Sequence, residues 1–248
     1  MKTVITICII ALGIAASLAP QARAQVDLDI ETGAIFPGYN DVRIPGQGGT
    51  LFSLTEELEA DPGVFYRIRV MYHFNERHHL GALYAPLSYD SEGQLKHALV
   101  FEGQSFPAQT PLETAFKFNS YRLFYRYDFL RSDDIEIGAG FTGKIRDARI
   151  AVSGGGRESE KTNVGFVPLI HFRLLWRFAG DFALLLDGDA LAAPQGRAED
   201  VLAALLYRAS DAVDLKAGYR ILEGGADNDE VYNFTLINYA SVGAIVHF

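Results

Sequence analysis

The sequence predicts one all-β domain, a single antiparallel, up-and-down transmembrane β-barrel of about ten strands, with eight or twelve strands as alternatives. Three observations support this prediction. Apolar and polar residues alternate over long stretches, the connections between these stretches are short and long in turn, and no long uncharged apolar stretch follows the first 24 residues. A membrane-spanning helix needs about 20 predominantly apolar residues. The alternating stretches are therefore the candidates for crossing the membrane.

The composition indicates a folded chain and argues against some functions. The 248 residues include 22 Lys and Arg, 31 Asp and Glu, 17 Phe and 12 Tyr, and the formal charge is −9. An acidic chain without a basic tract is a poor nucleic-acid binder, because phosphate contacts need clustered Lys and Arg. A hydrophobic content of 49% excludes an intrinsically disordered chain.

The chain begins with the features of a secretory signal peptide. Residues 1–24 have a positive start, a short apolar stretch and Ala22-Arg23-Ala24, which has the form of a cleavage site. We therefore expect residues 25–248 to form the mature barrel domain. The single cysteine, Cys8, lies in the predicted signal peptide, so we expect no disulfide or thiol chemistry in the mature chain.

Alternation is clearest over residues 163–178. The even positions from Val164 to Phe178 are all apolar, whereas the odd positions include His171 and Arg173. Strands of soluble proteins average about 5–6 residues. A transmembrane barrel strand needs about 9–11 residues and turns its apolar side to lipid. The length and the one-sided apolar face therefore favour a barrel that crosses a membrane.

Following this pattern along the chain gives ten strands. They cover residues 26–36, 63–75, 78–89, 112–130, 134–152, 163–178, 181–192, 200–209, 212–222 and 231–248. Four connections are tight turns and five are longer, which is typical of barrels with short periplasmic turns and long outer loops. Ten strands place both termini in the periplasm. A further hairpin around Glu102-Gly103 would change the number of strands.

The end of the chain carries a specific resemblance. The last strand has alternating apolar residues at Ala240, Val242, Ala244, Val246 and the final residue, Phe248. This pattern resembles the terminal-strand signal of bacterial outer-membrane β-barrel proteins, which the barrel-assembly machinery reads. Asn119-Ser120-Tyr121-Arg122 and Ala193-Pro194-Gln195-Gly196-Arg197 are also similar to stretches of a family of uncharacterised outer-membrane barrels. The resemblance implies a place in a Gram-negative outer membrane, in contact with lipids and lipopolysaccharide, but no activity. We expect a monomer by default.

Charged residues of the strands are predicted to face the barrel interior. The basic ones are Arg67, Arg69, Arg122, Arg126, Lys144, Arg146, Arg173, Arg177, Arg208, Lys216 and Arg220. The acidic ones are Asp27, Asp29, Glu31, Asp128, Glu136, Asp187, Asp189 and Asp214. Charges at membrane depth are costly unless they are paired or hydrated. Side chains fill the interior of eight-stranded barrels, so we expect salt bridges to close this slightly wider one.

Neighbouring strands suggest which charges pair. The three acids of the first predicted strand should lie beside Arg67 and Arg69 of the second, and Arg126 should lie beside Glu136. Such a network either stabilises a closed interior or lines a charged permeation path. The sequence leaves both interpretations open.

The long connections are acidic, and Asp200, the first residue of the predicted strand 200–209, is counted with their acids. An acidic rim attracts cations or lipopolysaccharide bridged by divalent ions, or it keeps the protein soluble. Asp227, Asp229 and Glu230 form a weak Ca²⁺ candidate, because their oxygen atoms and D-x-D spacing are compatible with this ion. A turn rich in Asn, Asp and Gly needs no metal, however. We predict no cofactor.

Three functional hypotheses follow. The first is a non-enzymatic barrel with a structural or surface-interaction role, and the second is a narrow channel for small solutes gated by the first outer loop. The third is an outer-face hydrolase, because ten-stranded barrels of similar size include the omptin proteases, which use an Asp–His dyad to activate water. His97 would need a loop acid such as Asp227 or Asp229 beside it. The surrounding sequence lacks an omptin-like motif, so no catalytic residue is assigned.

The first long connection contains a helix signal. Ser53 and Glu56 form a capping-box pattern, and leucines at 51, 54 and 58 fall on one helical face. We predict a short helix here. It either covers the barrel mouth as a lid or plug, or packs on loop aromatics such as Phe101 and Phe106.

Overall fold

The computed structural model describes residues 25–194 and 196–248, and every regular element in these ranges is a β-strand. The predicted signal peptide falls on residues 1–24, outside the described residues. Within the described ranges, no helix has the length and apolar character needed to cross a membrane.

Strands are numbered in chain order through the described residues. They are β1 (Val26–Arg43), β2 (Phe52–Ser53), β3 (Leu58–Ala60), β4 (Gly63–His73), β5 (His78–Ala85), β6 (Ser88–Gln94), β7 (Leu99–Phe101), β8 (Gln104–Phe106), β9 (Pro111–Arg131), β10 (Ile135–Gly154), β11 (Arg157–Ala179), β12 (Phe182–Ala193), β13 (Gly196–Ser210), β14 (Val213–Asp227) and β15 (Tyr232–His247).

Ten antiparallel strand positions form a closed barrel, which confirms the predicted fold and number of barrel strands. Each position is called a stave here, because one of the ten is made of two strand segments. The order around the ring is β1, β4, β5 with β6, β9, β10, β11, β12, β13, β14 and β15, and β15 pairs with β1 to close it. β5 and β6 share one stave, because both pair with β9. Pro86 separates them, consistent with its lack of an N–H for the ladder.

Side chains alternate between the two faces of the wall. On β11, Val164 and Phe166 are 70% and 66% exposed on the outer face, whereas Leu169 and His171 of the inner face are buried. The other staves likewise expose apolar side chains outward, among them Ile68, Leu123 and Leu205. This arrangement matches the alternation in the sequence.

The two ends of the barrel differ. The turn end holds the four tight turns and both ends of the described barrel, where Val26 and Phe248 exchange backbone hydrogen bonds. The loop end holds the longer connections. Several predicted loops are shorter than expected, because β10 and β11 continue pairing up to a turn at Gly155-Gly156. Polar residues occupy both faces there, so the hydrophobic periodicity ends before the backbone ladder does.

The first two long connections fold into the barrel mouth and form an apolar core. Its buried members from these connections are Ile44, Phe52, Leu54, Leu58, Leu95, Leu99, Phe101 and Phe106. The rings of Phe52 and Phe101 meet edge to face, with their centroids 6.3 Å apart. The predicted hairpin around Glu102-Gly103 forms as β7 and β8, but it lies outside the ring of staves.

The predicted helix of the first connection is wrong. Residues 54–57 form a turn between β2 and β3. One of the two predicted cap contacts forms, because Glu56 N–H donates to Ser53 Oγ at 3.3 Å. Ser53 N–H donates instead to Glu57 Oε2 at 3.0 Å, and not to the Glu56 side chain. Because β2 pairs with β1 and β3 pairs with β6, too few residues lie between them for a helix. Leu54 and Leu58 are nevertheless buried in the apolar core, so the segment packs with the loop aromatics.

Candidate functional site in the barrel interior

The interior has three layers between the turn end and the loop end. A chain of histidine and aspartate side chains lies near the turn end, an ion network fills the middle, and the apolar core occupies the loop end. A cavity lies beside the upper two layers, against the wall formed by β10 to β15.

Asp200 is the centre of the ion network. Its carboxylate accepts hydrogen bonds from Arg67 at 2.9 Å, and also from Arg122 and Arg220. These arginines come from three separate staves, β4, β9 and β14, and all four side chains are buried. Buried charges of opposite sign and matched hydrogen bonds offset part of their desolvation cost.

Glu31 and Asp29 extend the network along β1. Glu31 accepts two hydrogen bonds from Arg220, at 2.8 and 2.9 Å, and one from Lys216 at 3.1 Å. Lys216 Nζ also lies 2.6 Å from an Asp29 oxygen. Lys216 thus links both acids of β1 to β14, across the intervening β15.

Two acids of β12 form the other side of the network. Asp189 pairs with Arg122 at 2.6 Å and accepts a hydrogen bond from Thr142 at 2.5 Å. Asp187 pairs with Arg69 at 2.8 Å and with Arg173 at 3.4 Å. These contacts connect β12 to β4, β9 and β11 through the middle of the barrel.

Some predicted pairs differ from the observed ones. Arg126 bonds Asp128 at 2.7 Å, whereas Glu136 pairs with Arg177 at 2.8 Å. The predicted Arg126–Glu136 pair is wrong because the register sets Arg126 opposite Gly140. A register shift between residues 137 and 138 adds to this displacement.

On β1 the register does set Asp29 beside Arg69 and Glu31 beside Arg67. The shortest ion pairs of these acids nevertheless go to Lys216 and Arg220, on β14.

The prediction that places Asp200 among the outer-loop acids is wrong. The residue lies on β13 with 2% of its surface exposed. The missed signal is its position along the strand, because Asp200 lies an even number of residues from the inward-facing Leu202, Ala204 and Leu206 and so shares their face. Its negative charge favours a loop, whereas its position in the alternating pattern favours the barrel interior, and the structure follows the alternating pattern.

A chain of hydrogen-bonded histidines and aspartates runs along the wall near the turn end. Its order is Asp214, His247, Asp27, His73, His79 and Asp128. The five contacts measure 3.3, 2.7, 2.8, 2.6 and 2.7 Å in that order. Alternation predicts that the three aspartates face the interior but does not indicate their histidine partners.

The loop-end acids do not come together as a metal site. Asn228 Oδ1 accepts the N–H groups of Glu230 and Val231, both at 3.0 Å, and Asp229 accepts a hydrogen bond from Gln47 at 2.6 Å. Within residues 25–194 and 196–248 no group of three potential His, Cys, Asp or Glu ligands forms. Asp227, Asp229 and Glu230 therefore do not form a Ca²⁺ ligand cluster in the structure.

His97 lies near a loop acid other than the two named as examples. Its Nδ1 is 3.8 Å from Glu57 Oε1, and both side chains are exposed. The structure thus pairs this histidine with the first long connection, and not with Asp227 or Asp229.

The cavity has a volume of about 410 Å³. Its wall combines apolar side chains such as Phe118, Val167 and Leu222 with basic ones. Arg197 is held by Glu223 through contacts of 2.9 and 2.6 Å.

Sequence comparisons find no match among protein-family models and none among curated proteins. The solved structures do contain similar folds. The outer membrane protease OmpT from Escherichia coli has a TM-score of 0.55 and 10% identity, with 94% of this chain and 99% of that chain covered. The transport unit of the autotransporter AIDA-I from Escherichia coli has a TM-score of 0.50 and 7% identity, with 96% and 95% covered. At these identities the likeness shows the fold, that of outer-membrane β-barrel proteins.

Proposed function

We propose that the protein crosses the bacterial outer membrane as a closed, non-conducting barrel with a non-enzymatic structural or surface-interaction role. In this proposal the loop end faces outward and the turn end faces the periplasm. Outer-membrane lipids and lipopolysaccharide surround a monomer that the barrel-assembly machinery has inserted.

The observation that carries this proposal is the Asp200 cluster. One carboxylate draws arginines from β4, β9 and β14 together in the middle of the bore. The interstice bordered by Asp29, Glu31, Arg67 and Arg69 is too small for a water molecule. A permeation path through this layer would require several buried ion pairs to separate, at a cost of several kcal/mol for each ion left unpaired.

The apolar core supports the proposal as a second seal. Phe52, Phe101 and Phe106 are almost fully buried inside the loop end, where a solute would enter. The alternative, a narrow channel gated by the first loop, would require both layers to open. In the proposed surface-interaction role, the exposed acids of the outer rim, such as Asp229, bind cations or lipopolysaccharide bridged by divalent ions.

Conductance measurements test the proposal. The refolded protein is inserted into planar bilayers, and the folded fraction is checked by the shift of the unheated band on a gel. A sixteen-stranded porin inserted in the same way is the positive control. We expect no steady single-channel current from this protein. Steady openings would contradict the closed interior and favour the channel.

A further inference from the structure

The wall of the barrel has a notch between β11 and β12. The two strands pair from the turn end up to Ile170 and Ala190, and no further. Residues 157–169 of β11 continue toward the loop end paired only with β10. β12 ends at Ala193, where it is still paired with β13. One edge of β11 therefore stays open above Ile170.

Pro168 lies at the start of this open edge. Arg177 N–H donates to the Asp134 carbonyl before β10, so the amides of odd-numbered β11 residues face β10. The β10–β11 register is continuous, and the amide position of residue 168 therefore faces β12. Proline has no N–H to donate. The strand thus lacks the donor that the next bond of the ladder would need.

The notch leads into the cavity of about 410 Å³ that lies against β10 to β15, called the side cavity from here on. Phe166 and Pro168 from the edge of β11, with Leu191 and Ala193 from β12, line the same cavity as the interior residue Phe118. Phe166 belongs to the apolar outer face of the wall, and Phe118 lies beside the apolar core. The cavity therefore joins the lipid-facing surface to the interior by an apolar route.

Two cations on the inner face of β10 line this cavity without a carboxylate partner. Lys144 is 2% exposed, and its ammonium lies 4.6 Å from the centre of the Phe118 ring. Among the described residues no acid forms a salt bridge with it or with Arg146. Arg146 donates to the Asn163 side chain, and its Nε is buried with no hydrogen-bond partner in the described chain.

The other bases around the cavity are already neutralised. Arg149 pairs with Glu160 at 2.6 Å, and Lys161 pairs with Glu102 at 2.7 Å. Arg197 is paired with Glu223. Among the bases of the cavity wall, only Lys144 and Arg146, two residues apart on one strand, thus have no ion-pair partner among the described residues. The wall also includes Glu230, whose side chain is exposed. A buried cation without a counter-charge is costly, and an anion beside it would remove that cost.

We propose that the side cavity binds a single-chain amphiphile with an anionic head group, which enters through the notch from the surrounding lipid. The head group lies on Lys144 and Arg146, and the chain follows the apolar wall toward Leu191. The cavity volume of about 410 Å³ lies toward the lower end of the range of about 300–1,000 Å³ for pockets that hold one small molecule. A single-chain amphiphile is therefore the class of lipid that we assign to it.

Native mass spectrometry of the refolded protein in neutral detergent tests the charge requirement. Three probes share one chain length: palmitate, 1-palmitoyl lysophosphatidate and neutral hexadecanol. We expect one-to-one complexes with the anionic probes and at least tenfold weaker binding of hexadecanol. The tighter of the two anions assigns the head group as carboxylate or phosphate. Equal binding of hexadecanol, or no complex with either anion, would overturn the proposal.

Two sets of variants locate the site. Lys144→Gln combined with Arg146→Gln should weaken binding of the anionic probes at least tenfold, while Arg149→Gln should leave it unchanged, because that charge is already paired. Ala193→Trp should block the cavity, whereas Ala203→Trp, on the exposed outer face of β13, should not. Folding of each variant is checked by its unheated gel band. Equal affinity in the test and control variants would exclude this cavity.

Discussion

Arg220 and Glu31 form a bidentate ion pair through two parallel hydrogen bonds of 2.8 and 2.9 Å, although 189 positions separate them in the chain. Both side chains are buried. Arg220 uses its remaining guanidinium nitrogen to bond Asp200. One arginine therefore joins β1, β13 and β14 inside the barrel, and the stability of the closed interior depends on its partners.

Glu31→Ala should lower the free energy of unfolding by about 3–5 kcal/mol, because it leaves Arg220 and Lys216 with less counter-charge in a buried layer. Urea unfolding in lipid vesicles measures this change. Glu160→Ala is the control, because its pair with Arg149 is exposed and should contribute less than about 1 kcal/mol. Equal effects of the two substitutions would contradict the importance of the buried network.

Phe101→Ala should loosen the apolar core, because it removes a fully buried ring and leaves a cavity that costs about 3–5 kcal/mol. We expect faster proteolysis within residues 95–110 while the barrel stays folded. The cleavage rate and the unheated gel band measure the two effects separately. Leu51→Ala, at a side chain that is 49% exposed, should leave the cleavage rate unchanged. A Phe101→Ala protein with normal protease resistance would argue against a packed plug.

Lys144→Met should keep or raise the midpoint of urea unfolding, since the buried ammonium has no ion-pair partner among the described residues. Arg220→Met should lower the midpoint, because it leaves Glu31 and Asp200 without their shared partner. The two variants distinguish a cation that is available for a ligand, Lys144, from a cation that stabilises the fold, Arg220. A large loss of stability in Lys144→Met would assign this lysine to the structural network.

Gly140→Ala should prevent β9 and β10 from pairing normally, because a Cβ at residue 140 would overlap the backbone carbonyl of Tyr125. Gly103→Ala is the comparison: its Cβ would meet open space, and its φ of +75° makes the cost purely conformational, about 1–2 kcal/mol. The folded fraction on an unheated gel measures both. Folding of Gly140→Ala as complete as that of Gly103→Ala would contradict this close approach.

The number and order of the barrel strands could be predicted, because each wall segment has one apolar face and the period of a strand is two residues. Val164 to Phe178 shows this most clearly. The extent of β10 and β11 at the loop end could not be predicted, since Gly154 and Arg157 are paired through their backbones while their side chains carry no alternating pattern.

The partners of the interior charges were less predictable than their direction. Alternation places Glu31 and Arg220 inside, but the choice of partner depends on which side chains span the bore. Asp200 was missed because its inward parity conflicts with its position near a predicted loop. The notch was missed because it arises where a register ends, at Ile170, and a single sequence does not show where two strands part.

The contact between His247 and Asp27 has a consequence for how the protein is completed. These residues belong to the last and first staves, and their 2.7 Å contact becomes possible only when the two ends of the sheet have met. His247 also reaches Asp214 on the adjacent stave, at 3.3 Å. The His247–Asp27 contact therefore links the two terminal strands side chain to side chain, and it can serve as a specific marker of barrel closure.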